Sequence, residues 1–217
     1  MAIRRRGENH PGLVLKPGGP IHGALALSRG GGLIAIGDMH GTIGVYRTDT
    51  GRPTFVERQG EQGKARGMLG ATFSPDASTL ATISRDGVVR VWDLVSQERL
   101  ASWRGFGGQT VEVGTRGVQV LVLDSHGQPR LLNLAQKEAI PLNPAPMACT
   151  HARFVMGESA ILCMGTDGLA LIDATNGQCT ASFLVQGGAG LLGMVLSEDR
   201  TEAAVLTERG LPAGLLQ

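Results

Sequence analysis

A chain of 217 residues, 42% hydrophobic and 18% charged, is long and apolar enough to bury a core, which excludes a wholly disordered segment. The formal net charge of +1 leaves no overall field to draw the chain to nucleic acid or to an anionic membrane. Its 33 glycines, far above average usage, are what an array of tight turns requires.

In chain order, residues 1–12 read as a frayed terminus. Arg4, Arg5 and Arg6 make a small basic patch there, either solvated or offered to an anionic partner. They precede Gly7, Pro11 and Gly12 instead of an apolar stretch, so no signal peptide is expected. Residues 13–15 are expected as a lone outer strand, because Leu13 to Ser28 aligns with Phe183 to Ser197 as outer strand, glycine-rich crossover and next inner strand.

Residues 21–58 hold the strand LIAIG (33–37), a His40-Gly41 reversal and the segment IGVYRTDTG. Residues 68–104 hold the clearest unit, FSPDASTLATISRDGVVRVWD at 73–93. Pro75 presets φ and Asp76 can bond the backbone beyond it, so Ser74 to Ala77 turns. Leu80 to Ser84 follows as a strand, Arg85-Asp86-Gly87 reverses with Gly87 at positive φ, and Val88 to Trp92 returns. The pattern recurs in residues 110–142, with VLVLD, His126-Gly127 and RLLNLAQK, and in 150–186, with ILCMG, Asp167-Gly168 and LALIDATNG. A partial unit at 191–210 supplies two strands, LLGMVLSED and EAAVLTERG.

The four glycine turns stand roughly 40 to 46 residues apart, the interval of a propeller blade. The chain resembles the WD-repeat β-propellers, and residues 69–104, ending near Trp92-Asp93, carry the resemblance best. The other full copies are degenerate, with Tyr46, Leu132 and Ile172 at the tryptophan position. The resemblance implies an all-β, WD-type β-propeller of four full blades plus an incomplete closing blade, with four antiparallel strands per blade and the first strand innermost. Residues 13–15 would add the outer strand of that closing blade, leaving its third strand missing. Two accounts fit: a fragment of a longer, seven-bladed array, or a five-bladed ring with a three-stranded last blade.

The resemblance also implies a buried hydrogen-bond chain in each blade, from a crossover histidine through a second-strand Ser or Thr and the turn aspartate to the tryptophan. Thr82, Asp86 and Trp92 fill three of its places in the second blade, and Lys64 stands in the histidine's.

No catalytic constellation emerges. GEQGKARG at 60–67 lacks the first glycine of a phosphate-cradling loop, and Ala65 stands where Ser or Thr would bind magnesium. Nor is there a G-x-S-x-G elbow to activate a serine near His22, His40 or His126. Cys149, His151, Cys163 and Cys179 lack the paired spacing of a zinc site. Three unpaired cysteines fit a reducing compartment, with the thiols packed as small hydrophobes. The longest apolar window, Phe183 to Leu196, is broken by Gln186 and glycines and is too short to span a bilayer. The expectation is a soluble, cytoplasmic chain, with the nucleus open, that uses no cofactor or metal.

Function then falls to the loops, because in such a fold the strands carry the structure. The resemblance implies that the crossovers and the second-to-third-strand turns gather on one docking face. Placed there by motif are Met39 and His40, Lys64 and Arg66, Arg85, Arg104 and Phe106, Ser125 and Thr166. Arginine beside large apolar side chains is the composition enriched at protein interfaces; ordinary solvated turn residues are the alternative. The expected function is a non-enzymatic protein-interaction scaffold for protein or peptide partners with acidic surfaces. A second expectation is a structural subunit that completes its open sheet edges against another chain or copy.

Overall fold

The computed structural model describes residues 2–3, 13–14, 21–58, 67–107, 111–114, 119–140, 142–143, 145–184, 190–197, 203–208 and 213–216. The chain divides into two compact units, Met1–Arg104 and Gly105–Gln217. Apart from one short 3-10 turn at Met156–Glu158, the regular elements among the described residues are all β-strands.

In the first unit, β1 (Ala2–Ile3) pairs with β2 (Leu13–Val14). β3 (Ile21–Leu27), β4 (Leu33–Asp38), β5 (Thr42–Arg47) and β6 (Pro53–Arg58) form a four-stranded antiparallel meander. β7 (Met68–Phe73), β8 (Thr79–Ser84), β9 (Val88–Asp93) and β10 (Arg99–Arg104) form another.

Local chemistry sets these reversals. The Asp38 carboxylate accepts the amides of His40 and Thr42 at 2.9 and 2.7 Å, and Gly41 takes φ 82° beside it. In the β7–β8 turn, Ser74 Oγ accepts the Thr79 amide at 2.9 Å and Asp76 Oδ1 accepts that of Ser78 at 3.1 Å. Gly87 closes the β8–β9 turn at φ 72°, a conformation that only glycine adopts without steric cost.

Strand alternation then builds the core. Ala35, Ile43, Val45 and Phe55 of the first sheet meet Phe73, Leu80 and Trp92 of the second. Every residue of β8 is buried, as expected of a strand covered on both faces. Each large aliphatic side chain so buried contributes about 1.5–3 kcal/mol. The two sheets approach so closely that a Cβ on Gly37 would stand 2.5 Å from Met68 Cβ.

The second unit repeats the plan. β11 (Val111–Val113), β12 (Gln119–Leu123), β13 (Pro129–Asn133) and β14 (Glu138–Ile140) form one four-stranded sheet. β15 (His151–Val155), β16 (Ala160–Met164), β17 (Gly168–Asp173) and β18 (Cys179–Leu184) form the next. The last sheet has three strands, β19 (Leu191–Leu196), β20 (Ala203–Thr207) and β21 (Ala213–Leu216). Leu121, Leu131, Phe154, Ile161 and Ile172 share one core, and Leu162, Met164, Leu191 and Val205 share another. Between β11 and β15, the buried Glu112 accepts the Phe154 amide on Oε2 at 2.8 Å.

Three expectations need correction. Residues 13–14 pair with Ala2–Ile3 instead of completing the last sheet, so residues 2–3 also belong to a strand and not to a frayed end. The last sheet does have a third strand, β21, paired with β20; Pro212 and Gly214 hid it from a reading based on alternation. Finally, the Asp167-Gly168 hairpin differs from its relatives. Met164 pairs with Leu169 across four residues, where Ile83 and Val89 pair across five. Gly165 N donates to Gly168 O at 2.9 Å, leaving Thr166 and Asp167 to turn while Gly168 begins the strand without positive φ.

Candidate interaction site

The β4–β5 and β8–β9 turns of the first unit come together around Gly67. A Cβ there would stand 3.5 Å from the Met39 carbonyl oxygen and 3.7 Å from Arg85 Cδ. Arg85 N donates to Gly67 O at 3.0 Å, which ties the β8–β9 turn to the entry of β7. Met39 is 46% exposed, and His40 and Arg85 are exposed beside it. Arg104 is exposed and lies opposite Val88, so it stands at the same end of its sheet as Arg85. Arg58 stands in the corresponding place of the first sheet, opposite Thr42. Among the described residues, none of Arg58, Arg85 and Arg104 is ion-paired with a carboxylate.

Lys64 and Arg66 lie outside the described residues. Phe106 does not belong on the exposed surface: it is 8% exposed, buried behind a reversal at Gly105, whose φ is 95°. Burial of a phenyl ring is favoured by about 1.5–3 kcal/mol, which explains why it turns inward. Ser125 and Thr166 are exposed at hairpin turns of the second unit.

The expected Thr82–Asp86–Trp92 chain is replaced by one centred on an arginine. Arg90 Nη1 donates to Ser84 Oγ at 2.9 Å and Nη2 to Asp86 Oδ2 at 3.2 Å, while Ser84 Oγ donates to Asp86 Oδ1 at 2.5 Å. Thr82 Oγ1 donates to the Arg90 carbonyl at 3.3 Å. Trp92 Nε1 is buried with no hydrogen-bond partner among the described residues, and its ring packs on Phe55 with centroids 5.4 Å apart. Strand alternation puts Arg90 and Trp92 on one face, and it is the guanidinium that takes the Asp86 carboxylate.

Burial pushes the Asp86 carboxyl up, but bonds from Ser84 and Arg90, the Arg90 charge and the Val88 amide together hold it below its ordinary value. Arg130 repeats the device in the second unit. It occupies the register position of Arg90, opposite Val122 as Arg90 is opposite Thr82, and donates from Nε and Nη2 to Asp124 Oδ2 at 3.0 and 2.9 Å. Asp124 is likewise pushed up by burial and brought lower overall by the Gln128 and His126 amides and by Arg130. In the first sheet Gly44 takes the arginine position and the Tyr46 ring lies against it. Burial first, and the charge of Asp38 second, push the Tyr46 hydroxyl up. The arginines went unread as a pair because each was judged inside its own strand; their equal spacing from Asp86 and His126 was the available signal.

An open cavity of about 480 Å³ lies in the second unit between Gln119, Ile140, Glu158, Ser159 and Thr175. Met156, Gly157 and Glu158 reach it through left-handed backbone, at φ 52°, 64° and 75°. The Thr175 hydroxyl donates to Asp173 Oδ1 at 2.5 Å, and Ser159 Oγ donates to the Met156 carbonyl at 2.8 Å. Among the described residues, no three His, Cys, Asp or Glu side chains are grouped to hold a metal ion. No helix among them is long and apolar enough to cross a membrane.

No protein-family model matches the chain, and no curated protein matches it in sequence. Among solved structures it is similar to the β-propeller domain of Cps50 (Swd1) from Myceliophteria thermophila, with a TM-score of 0.74 at 16% identity over 88% of this chain and 65% of that one. It is also similar to the hydrazine synthase of Kuenenia stuttgartiensis, with a TM-score of 0.73 at 12% identity over 94% of this chain and 59% of that one. The chain therefore spans less than two thirds of the length of either. At such identities the likeness is one of fold: four-stranded antiparallel sheets, followed along the chain by a three-stranded one, make this an all-β protein of the β-propeller fold.

Proposed function

We propose that the chain is a non-enzymatic protein-interaction scaffold whose docking surface is the Met39–Arg85–Arg104 end of the first unit, and that its partner is an acidic protein or peptide segment. The observation that carries this is the meeting of the Met39 and Arg85 turns around Gly67, with both residues exposed. Flexible methionine fits varied apolar contacts, and arginine takes carboxylates in a bidentate fork. Lys64 and Arg66, close in sequence to Gly67, add positive charge to the same segment. Cys149, Cys163 and Cys179 are free thiols, which supports placing this activity in the reducing cytoplasm.

The test is fluorescence anisotropy with a labelled glutamate-rich peptide, on the wild type and an Arg66→Ala, Arg85→Ala, Arg104→Ala variant, with unfolding curves as folding control. The expected result is binding that weakens with salt and about tenfold weaker binding by the variant, since three desolvated charge contacts together contribute more than about 1.4 kcal/mol. Equal binding by both proteins would contradict this surface.

A further inference from the structure

The cavity of the second unit is walled by two turns that a hydrogen bond ties together, Ala174 N donating to Ser159 O at 2.9 Å. The β15–β16 turn contributes Glu158 and Ser159, and the β17–β18 turn contributes Thr175. Ile140 of β14 and the buried Ala174 supply apolar surface beside them. A volume of about 480 Å³ is that of a small-molecule site.

The direction of the hydrogen bonds gives this wall its chemistry. Ser159 Oγ and Thr175 Oγ1 both donate their single proton within the chain, to the Met156 carbonyl and to Asp173 Oδ1. A hydroxyl carries one donor and two acceptor lone pairs, so each oxygen keeps acceptor capacity only. Glu158 adds a carboxylate, which when ionised accepts at several sites and donates at none. Behind Thr175, the hydroxyl and amide of that residue hold the Asp173 carboxyl below its ordinary value, so a second negative charge backs the same wall. Among the lining side chains, Gln119 alone carries N–H donors. The backbone that presents Glu158 is itself unusual: Met156 and Glu158 take φ 52° and 75°, left-handed values disfavoured for residues with a Cβ, and such outliers cluster at ligand sites.

We propose that this cavity binds a primary aliphatic ammonium group, carried by a free polyamine or by a lysine side chain, with the N–H donors on Glu158, Ser159 and Thr175 and the methylene stem on Ile140 and Ala174. An alkylammonium has three donors and no acceptor, the complement of an acceptor-rich wall. Its positive charge suits the two carboxylates, and its methylenes suit the apolar side of the cavity. The site is independent of the Arg85 surface, which belongs to the first unit and is proposed for ligands of the opposite charge.

The test is isothermal titration calorimetry with cadaverine, with the peptide acetyl-Gly-Lys-Gly-amide and with the neutral n-pentanol. It uses the wild type and Glu158→Gln, Ser159→Ala and Glu98→Gln variants, all folded by circular dichroism. The wild type should bind both amines, more weakly as salt rises, and should not bind n-pentanol. Glu158→Gln should weaken amine binding about tenfold and Ser159→Ala by less, while Glu98→Gln, an exposed carboxylate of the first unit, should leave it unchanged. Tighter binding of cadaverine than of the peptide assigns the site to a free polyamine, and the reverse assigns it to a lysine side chain. No binding of either amine, equal binding of n-pentanol, or amine binding that survives both Glu158→Gln and Ser159→Ala would overturn the proposal.

Discussion

Arg90 reaches from the middle of β9 to Asp86 in the turn before it, with Nη2 3.2 Å from Oδ2, and both side chains are largely buried. Removing one partner of such a pair leaves the other without its bond, and hydrogen bonds to charged groups contribute about 1.5–3 kcal/mol. Arg90→Met should therefore destabilise by about 2 kcal/mol in urea unfolding, and a double-mutant cycle with Asp86→Asn should show the two costs to be less than additive. The pH dependence has a definite sign. The folded pKa of Asp86, like that of Asp124, lies below the unfolded value, so its stabilisation is complete above the ordinary carboxylate range and is lost as pH falls through the folded value. Melting temperature should drop below about pH 4 in the wild type and drop less in Asp86→Asn.

Trp92 illustrates the opposite balance, since its ring fills the core between the first two sheets while its N–H has no described partner. Trp92→Phe removes a buried donor that costs about 1–3 kcal/mol and opens a small void, so the two effects should nearly cancel. Trp92→Ala, by contrast, should cost about 3–5 kcal/mol. Circular dichroism in urea separates the two variants.

Gly37 is fixed by the space around it. A Cβ would stand 2.5 Å from Met68 Cβ and 2.8 Å from Ala24 Cβ, atoms close to the backbone that cannot swing away. Gly37→Ala should therefore destabilise by about 1–3 kcal/mol through overpacking, and the companion change Met68→Ala, which keeps the clashing Cβ and empties a buried site, should not recover the loss. Chemical denaturation of the single and double variants is the measurement.

Thiol chemistry should divide the three cysteines. Cys179 is exposed, whereas Cys149 and Cys163 are buried in one core. The hydrogen bond shared with Cys149, together with burial, pushes the Cys163 thiol up, away from the reactive thiolate. A chromogenic disulfide reagent at neutral pH should titrate one thiol in the folded chain and all three after unfolding. Cys179→Ser should abolish the native reaction.

The sheets were legible because their punctuation is written in single residues. Gly41, Gly87 and Gly127 mark three hairpins, and each takes the positive φ that its turn requires. The fourth hairpin misled because a one-residue shortening leaves Asp167-Gly168 looking like Asp86-Gly87 while moving glycine into the strand. Long-range facts were hidden for a related reason. Whether Phe106 faces outward depends on the reversal at Gly105, and whether Asp86 bonds an indole or a guanidinium depends on which side chain on a shared face is longer. Neither is a property of local pattern. The meeting of Met39 and Arg85 around Gly67 joins residues far apart in sequence, and only the packing of one sheet on the next brings it about.

The most direct test of the repeating-sheet account is amide hydrogen exchange along the intact chain. The second and third strands of each four-stranded sheet have neighbours on both sides, so protection should peak at 33–47, 79–93, 119–133 and 160–173, with β6, β10 and β18 exchanging faster. Peaks that ignore this spacing, or slowest exchange in the outer strands, would contradict it.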